Sequence, residues 1–334
     1  MADQIGKKGF TSGMAVHARY GEDVPTVNGP FGKALVEVGR EHPDVVGLTA
    51  DLAKYTDIDQ FRDAFPDRYF QVGMAEQNLI GITGGLARTG YVPYATSYCS
   101  FGPRRAYDFI GIGLAEAQLS AKIIMALPGI TTGYGATHQG LEDMALMRSI
   151  PHMTVIDPAG ATEIMDATRA MATYDGPVYM RILRGTVKRV FDPASRTFEI
   201  GTVFTVREGG DATLVSSGHI TDRAIEAGRT LAEESGIEVT HLHVPTVKPL
   251  HEEPILEAVS RTGALVTAEN HSVVGGLSTA VIEAAGLAGI SVPVERVGIP
   301  DRYLECGSVS HLNEKYGLTA RHIAEAVEKV VEEK

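Results

Sequence analysis

A glutamate at the start of a glycine-rich helix is the first feature of the sequence with a chemical meaning. The run YFQVGM at 69–74 has the apolar character of a buried strand, and Glu76 follows it where the next helix begins. The predicted helix contains Gly81, Gly84 and Gly85. Because a glycine inside a helix costs up to about 1 kcal/mol, several of them predict close approach of another backbone or of a ligand. Taken alone, Glu76 could equally be a favourable acid in the first turn of an exposed helix.

Two aromatic residues and a histidine follow along the chain. Tyr98 and Phe101 are three residues apart, and they could pack on a flat heteroaromatic ring or in the core. His138 lies in the run GATHQGLED, where a histidine can hydrogen-bond a hydroxyl group and transfer a proton. A histidine in a loop of glycine and threonine is more often a surface residue without a chemical role. Whether His138 has a chemical role therefore has to be judged from the residues around it.

Three charged residues follow strand-like runs or lie within them. Arg184 closes the run VYMRILR, and a fixed guanidinium group is suited to a terminal phosphate or another anion. Arg181 lies within the same strand, so it is the better candidate for a structural salt bridge. Asp51 closes the first strand, in the run TADL.

These segments together resemble the transketolases. The run G-M-A-E-Q-N, the small-residue helix and the aromatic pair before R-A-Y-D are similar to the pyrimidine-binding domain of that family. The run G-A-T-H-Q-x-L-E-D, followed by R-x-I-P, is similar to the transketolase segment whose histidine reaches the substrate. The run AENHSVVGGL at 268–277 resembles the C-terminal domain of the superfamily, and we expect its His271 to be structural or at a subunit contact. The resemblance extends from about residue 25 to the C-terminus.

The resemblance implies a cofactor, thiamine diphosphate, and residues that hold its pyrimidine ring. Glu76 matches the glutamate that bonds a ring nitrogen, while Tyr98 and Phe101 lie close to the aromatic residues that pack on the pyrimidine. A carboxylic acid must give that nitrogen a proton. A helix N-terminus favours the carboxylate and burial favours the acid, so burial has to win at Glu76.

The resemblance also implies residues that contact the sugar. His138 matches the substrate histidine, with binding and catalytic roles, and Arg184 matches an arginine that binds substrate phosphate. Asp51 matches an acidic residue near the cofactor and the subunit contact. The implied reaction is transfer of a two-carbon ketol unit from a ketose phosphate to an aldose phosphate.

Three positions depart from the family pattern around the sugar. Tyr134 stands where most transketolases have an aspartate that recognises a sugar hydroxyl, and Ala126 stands where they have a histidine. The family arginine in the helix lead-in is absent from VNGPFGK at 27–33. We therefore predict an altered pocket in which Tyr134 contacts an unusual substrate, for instance a branched sugar.

A larger departure is the absence of a diphosphate-binding motif. A G-D-G followed roughly 25–30 residues later by Asn would supply oxygen ligands for Mg²⁺, and the sequence does not contain that pattern. The resemblance then implies a separate N-terminal subunit that carries the diphosphate domain and the Mg²⁺ ligands, in a complex with two copies of each chain. We expect no metal ligands on this chain.

The order of apolar runs predicts the fold. Continuous apolar strands alternate with amphipathic helices, which indicates an α/β protein with two domains, each a mostly parallel sheet with helices on both faces. With the resemblance, we expect an N-terminal arm at 1–25, a thiamine pyrimidine-binding domain at 26–190, a linker at 191–201 and a transketolase C-terminal domain at 202–334.

Composition narrows the function classes. The 334 residues are 44% hydrophobic and 22% charged, as in ordinary soluble proteins, and the net charge of −12 argues against a nucleic-acid partner. No apolar run approaches the ~20 residues of a membrane span, and no segment predicts a signal peptide. Cys99 and Cys306 are too few for a disulfide framework or a four-ligand zinc site, so we expect a cytoplasmic protein.

Three alternatives remain open. The E1 β subunit of a 2-oxo acid dehydrogenase has similar length and the same two domains, but it usually has paired histidines or H-S-Q in the second loop. A deoxyxylulose-phosphate synthase shares A-E-Q and T-H-Q-G, but it normally carries its diphosphate domain on the same chain. A non-catalytic homologue would keep the fold, and Tyr134 leaves this possibility open.

Overall fold

A computed structural model of the chain describes residues 24–194 and 197–334. All but the last two residues of the arm expected at 1–25 lie outside the described residues, and so do positions 195 and 196 of the expected linker. In the described part of the chain, no helix has both the length and the hydropathy needed to cross a membrane.

Residues 24–194 form eight strands and six α-helices. The strands are β1 Thr26–Asn28, β2 Val45–Thr49, β3 Tyr69–Gln71, β4 Val92–Tyr98, β5 Lys122–Ala126, β6 Thr154–Ile156, β7 Val178–Ile182 and β8 Thr186–Lys188. The helices are α1 Pro30–Glu41, α2 Asp59–Ala64, α3 Glu76–Arg88, α4 Gly102–Ile110, α5 Asp143–Ser149 and α6 Ala161–Ala170.

The second part forms six strands and five α-helices. The strands are β9 Phe204–Arg207, β10 Ala212–Ser217, β11 Val239–His243, β12 Thr246–Lys248, β13 Leu265–Ser272 and β14 Val294–Ile299. The helices are α7 Thr221–Thr230, α8 Glu252–Thr262, α9 Leu277–Leu287, α10 Val309–Lys315 and α11 Ala320–Glu332.

Two mostly parallel sheets contain all of these strands except β1 and β8, which form a separate antiparallel pair, and this confirms the predicted α/β class. The first sheet has the strand order β12-β6-β7-β5-β4-β2-β3, and all its pairs are parallel except β12 with β6. The second has the order β14-β13-β10-β11-β9, with β9 antiparallel. In the first sheet the carboxyl ends of β2, β4, β5 and β7 share one edge, so the residues that follow these strands meet there.

One apolar cluster extends across both domains. Ile123 and Met125 of β5 lie in the same buried cluster as Val215 of β10 and Leu242 of β11. The antiparallel strand β12 also crosses the boundary, because it follows β11 in the chain but pairs with β6 of the first sheet. The second domain is therefore docked on the first by both packing and strand pairing.

One strand prediction was wrong, and two features of the sheets were not predicted. The strand expected to end at Met74 ends at Gln71, because β3 is a short edge strand paired with β2 alone, and the Met74 side chain is 81% exposed. The buried central strand β4 was not predicted, because Pro93 and the polar residues in YVPYATSY are not typical of a central strand. The pairing of β12 with the first sheet was also not predicted.

Candidate active site

Glu76 is a buried carboxylate at the first residue of α3. It is 4% exposed, and its Oε1 accepts a hydrogen bond from Arg105 Nη1 at 2.8 Å. Arg105 comes from α4, which packs against α3, and its side chain is 53% exposed. The acid is therefore enclosed by protein while its cationic partner reaches solvent.

An aromatic cluster connects this ion pair to the histidine loop. The Arg105 guanidinium lies 4.5 Å from the centre of the Phe101 ring, which is 5.4 Å from the Tyr98 ring. The Phe101 and His138 rings are 5.3 Å apart, edge to face, and the Tyr134 and His138 rings are 5.4 Å apart. Residues that are up to 40 positions apart in sequence thus form one continuous surface.

His138 lies in the loop between β5 and α5. Its backbone N–H donates to Gly135 O at 3.0 Å, and its Nδ1 lies 2.8 Å from Thr137 Oγ1. Burial lowers the pKa of His138, so the ring is neutral near pH 7. A neutral imidazole held at Nδ1 can accept or donate a proton at Nε2.

Arg184 follows β7 at the same edge of the sheet. Its guanidinium carbon lies 5.3 Å from the centre of the Tyr55 ring, and its Nε is buried with no hydrogen-bond partner among the described residues. Burial raises the pKa of Tyr98 and the charge of Arg184 opposes that rise, which places Arg184 near the aromatic cluster.

A cavity of about 240 Å³ between the domains borders Arg184. Leu127 and Thr131 of the first domain line it together with His219 and Val309 of the second. Because an orphaned buried donor costs free energy, Arg184 Nε beside an open cavity is suited to a ligand that accepts a hydrogen bond.

Asp57 holds the backbone next to Arg184. Its two carboxylate oxygens lie 2.9 and 3.2 Å from the Gly185 N–H that they accept, and the Gly185 carbonyl accepts from Gly29 N at 2.7 Å. Burial raises the pKa of Asp57 to about 6, against the opposing effects of the Gly185 hydrogen bond and the Arg184 charge. Neither Asp57 nor Tyr55 was singled out from the sequence.

The predicted residues do not all meet. Glu76, Tyr98, Phe101, Tyr134 and His138 belong to the aromatic cluster and its ion pair, and Arg184 lies beside it. Asp51 is exposed, and its hydrogen bonds are to Gln71 on the edge strand β3, at 2.7 and 3.1 Å. Arg105 was missed, although its spacing of four from Phe101 places both on one face of a helical turn.

Two structural expectations are confirmed. Arg181 is 1% exposed and forms ion pairs with Asp143 at 2.9 Å and Asp157 at 3.2 Å. His271 is buried, with Nδ1 2.7 Å from Ser272 O, and its Nε2 accepts from Ala145 N at 3.3 Å. Both residues form hydrogen bonds that connect the first domain with β13 of the second.

Both domains match known domain families. Residues 24–189 match the family described as transketolase, pyrimidine binding domain, and residues 201–323 match the family described as transketolase, C-terminal domain. The chain belongs to the transketolase family. The geometry around Glu76 is therefore that of a transketolase-family pyrimidine-binding domain, and the family implies dependence on thiamine diphosphate.

Relatives of similar length support this assignment to the transketolase family. A putative uncharacterized transketolase family protein of Sinorhizobium fredii is 45% identical over 326 residues, which cover 97% of this chain and 94% of that protein. The 6-deoxy-6-sulfo-D-fructose transketolase subunit SqwH of Clostridium sp. strain MSTE9 is 40% identical over 90% of this chain and 92% of its own. A solved structure described as a split gene transketolase, inactive beta4 tetramer, has a TM-score of 0.84 and 41% identity, and the match covers 91% of this chain and 97% of that one.

The transketolase-family site fits the pyrimidine part of the cofactor. A flat aminopyrimidine needs a hydrogen-bonding acid and an aromatic face, and Glu76 and Phe101 supply both on neighbouring helical elements. For the metal, residues 24–194 and 197–334 contain no group of three or more His, Cys, Asp or Glu side chains arranged to hold an ion.

Proposed function

We propose that this chain is the C-terminal subunit of a two-chain, thiamine-diphosphate-dependent transketolase. It transfers a two-carbon ketol unit from a ketose phosphate, or a related sugar with an anionic end, to an aldose phosphate. The observation that carries the proposal is the buried Glu76 carboxylate, joined through Arg105 and Phe101 to the ring of His138. Glu76 and His138 lie at the two ends of one aromatic surface. In the proposed reaction the cofactor ring would lie near Glu76 and the sugar near His138.

Thiamine diphosphate, when bound, supplies the nucleophilic carbon that ketol transfer needs. Glu76 would hold a proton at the ring nitrogen, and Phe101 and Tyr98 would present their faces to the pyrimidine. Because Arg105 Nη1 already bonds Glu76 Oε1, the ring nitrogen would contact the other carboxylate oxygen or displace Arg105. The half-exposed Arg105 side chain has room to move toward solvent.

His138 would exchange a proton with a sugar hydroxyl. Its neutral ring can do so near pH 7, and Thr137 fixes the orientation of the ring through Nδ1. Tyr134, 42% exposed beside His138, offers a phenol and an aromatic face where the family has a carboxylate. An aromatic face favours the C–H side of a sugar, which supports an unusual substrate.

Arg184 would bind the anionic end of the sugar. Its Nε has no partner among the described residues, and the cavity beside it leaves space for a ligand. A guanidinium fork is suited to any tetrahedral oxyanion. The relative SqwH is named for a sugar with a sulfonate in place of phosphate, so both anions are candidates here.

A second, N-terminal subunit would carry the diphosphate-binding domain and the Mg²⁺ ligands. The open face of α3 supports this proposal, because a Cβ at Gly81 or Gly85 would meet no atom within 4 Å. Met74, before α3, and Ile112, after α4, are 81% and 67% exposed. We propose two copies of each chain, with Asp51 near the subunit contact. The described cysteines are both free, as in a cytoplasmic protein.

Calorimetric titration of thiamine diphosphate with Mg²⁺ tests the split site. We expect tight binding when this chain is mixed with its N-terminal subunit and weak binding to this chain alone. Ketol transfer by the mixture, followed with phosphorylated and sulfonated ketoses, then tests the reaction. Tight binding or full-rate turnover by the lone chain would contradict the two-chain proposal.

A further inference from the structure

One side chain of the second domain enters the base of the histidine loop. Asn270, on β13, is 1% exposed. Its Nδ2 donates to Pro128 O at 3.1 Å, and its Oδ1 accepts from Ile130 N at 2.9 Å. Both halves of the amide are thus bonded to the backbone of one short turn, which directly follows β5.

The turn is pressed closely against Asn270. Gly129 has a φ of +51°, and a Cβ there would lie 2.2 Å from Asn270 O, so only glycine fits. Gly129 N also donates to Gly140 O at 2.8 Å, which joins the two ends of the loop. Tyr134 and His138 lie between these two ends of the loop, so the position of their backbone depends on the contacts that Gly129 makes.

Asn270 is itself held from the first domain. Arg181 Nη2 donates to Asn270 O at 3.1 Å and to Gly140 O at 3.3 Å. Two residues further along β13, Ser272 N donates to Leu141 O at 2.8 Å. One strand of the second domain therefore contacts both the beginning and the end of the loop.

We propose that Asn270 is a positioning residue for sugar recognition. It sets the place of His138 and Tyr134 through Pro128 and Ile130, so the sugar pocket is complete only when the second domain is docked. The inference rests on the proposed function for its effect on sugars. An amide is required because it donates on one side and accepts on the other, whereas a carboxylate would set an acceptor against Pro128 O.

Kinetics of the complex with the N-terminal subunit test the role. For Asn270→Ala we expect the KM for the sugars to rise about tenfold to hundredfold. A shift of His138 and Tyr134 by about 1 Å is enough for an effect of that size. The affinity for thiamine diphosphate should stay within about twofold, since Glu76 and Phe101 lie on other segments. Asn270→Asp, which keeps one acceptor but sets a second acceptor against Pro128 O, should raise the KM at least as much as Asn270→Ala.

Thr262→Ala is the matched control. Thr262 is also a buried polar residue of the second domain, 0% exposed, and its Oγ1 bonds Thr213 Oγ1 and Ala264 O instead of the loop. If Asn270 were purely structural, Asn270→Ala would lower thermal stability and the active fraction while the KM stayed unchanged, as in the control. That result would overturn the inference. In a His138→Ala background, the effect of Asn270→Ala on KM should largely disappear.

Hydrogen exchange in the isolated chain separates this inference from the proposed function. Asn270→Ala should accelerate exchange of the Ile130 amide and of residues 131–140 at least tenfold, while Thr262→Ala should not. Unchanged exchange of the loop overturns the inference whatever the enzyme does. Accelerated exchange supports the loop contact, and absence of ketol transfer in the wild-type complex would then count against the proposed function alone.

Discussion

The loops of the two domains differ in backbone conformation. In the first domain, five residues other than glycine have a positive φ: Asp51, Asp57, Gln118, Leu127 and His152. Within residues 197–334 no residue other than glycine does. Asp51 follows β2 and Leu127 follows β5, at the edge that carries Tyr98 and Arg184. Such conformations cost about 1–3 kcal/mol each and concentrate at functional sites.

The second domain places its polar residues in the interior instead. Thr221 Oγ1 lies 2.9 Å from His243 Nδ1, and His243 Nε2 lies 2.8 Å from Glu163 Oε2 on α6 of the first domain. Ser216 Oγ connects Thr221 to His241 at 2.9 and 2.8 Å. Burial lowers the pKa of His241 to about 3, so that ring stays neutral at ordinary pH. This chain of hydrogen bonds is satisfied within the protein.

The comparison shows that two domains with the same architecture can have different roles. Both domains alternate parallel strands and helices, but the first has loop residues with positive φ and a buried Arg184 Nε without a partner, whereas the histidine network of the second is bonded to Glu163 of its neighbour. Chemistry is expected at the first sheet edge, and specific docking is expected from the second domain.

Loss of the Glu76 carboxyl should have the largest effect. We expect Glu76→Gln to reduce kcat of the complex by about 10²–10⁴-fold, because proton transfer by a positioned side chain contributes that much. Glu37→Gln is the control, since Glu37 forms an exposed ion pair with Arg169. Steady-state ketol transfer is the measurement. Activity within threefold of wild type in Glu76→Gln would favour the non-catalytic homologue.

Removal of the Arg181 guanidinium should cost the most stability. Arg181→Met leaves Asp143 and Asp157 buried without their cation, and breaking a buried pair costs about 3–5 kcal/mol. Arg207→Met, which breaks a partly exposed pair with Glu238, should cost under about 1 kcal/mol. Urea unfolding of both variants measures the difference. If both variants lost the same free energy of unfolding, the buried ion pairs of the first domain would contribute no more than a surface ion pair, which would contradict the prediction.

Removal of the Arg184 guanidinium should affect anionic sugars alone. We expect Arg184→Ala to raise the KM for a phosphorylated or sulfonated ketose about tenfold to hundredfold, as for the loss of a charge-assisted hydrogen bond. The KM for an uncharged ketose should stay within about twofold. A similar rise for charged and uncharged donors would exclude Arg184 as the anion site.

The smallest effect concerns pH and Asp57. Because its pKa is about 6 in the folded protein and 3.8 by itself, the folded state binds more protons between these values. Stability should therefore fall as the pH rises from about 4 to about 6, by up to about 2 kcal/mol from this group. Asp57→Asn should flatten this slope, and its amide oxygen can still accept from Gly185 N. Unfolding free energies at pH 4.5 and 7 measure it, and an unchanged slope in Asp57→Asn would contradict the assignment.

Local sequence was sufficient for part of this structure. The helix that begins at Glu76 follows from a strand, a short turn and an acid in the first turn, as the structure has it. The salt bridge of Arg181 follows from a charge inside an apolar strand, which needs a buried partner. Both predictions use only neighbours in the chain and the cost of burying charge.

Long-range contacts could not be predicted in this way. Arg105 reaches Glu76 only because α4 packs on α3, and Asn270 reaches Ile130 across 140 positions. The strand β4 was hidden by Pro93, because a proline disfavours a central strand in isolation. In each case the decisive partner is supplied by tertiary packing.

The strand β12 has a consequence for synthesis of the protein. Since Thr246–Lys248 pairs with β6, the first sheet cannot be completed until the ribosome has released the chain beyond residue 248. Until then the edge of β6 is an open template for other strands. A break introduced between the domains, near residue 200, would make that exposure permanent, so the two halves should be produced together on one chain.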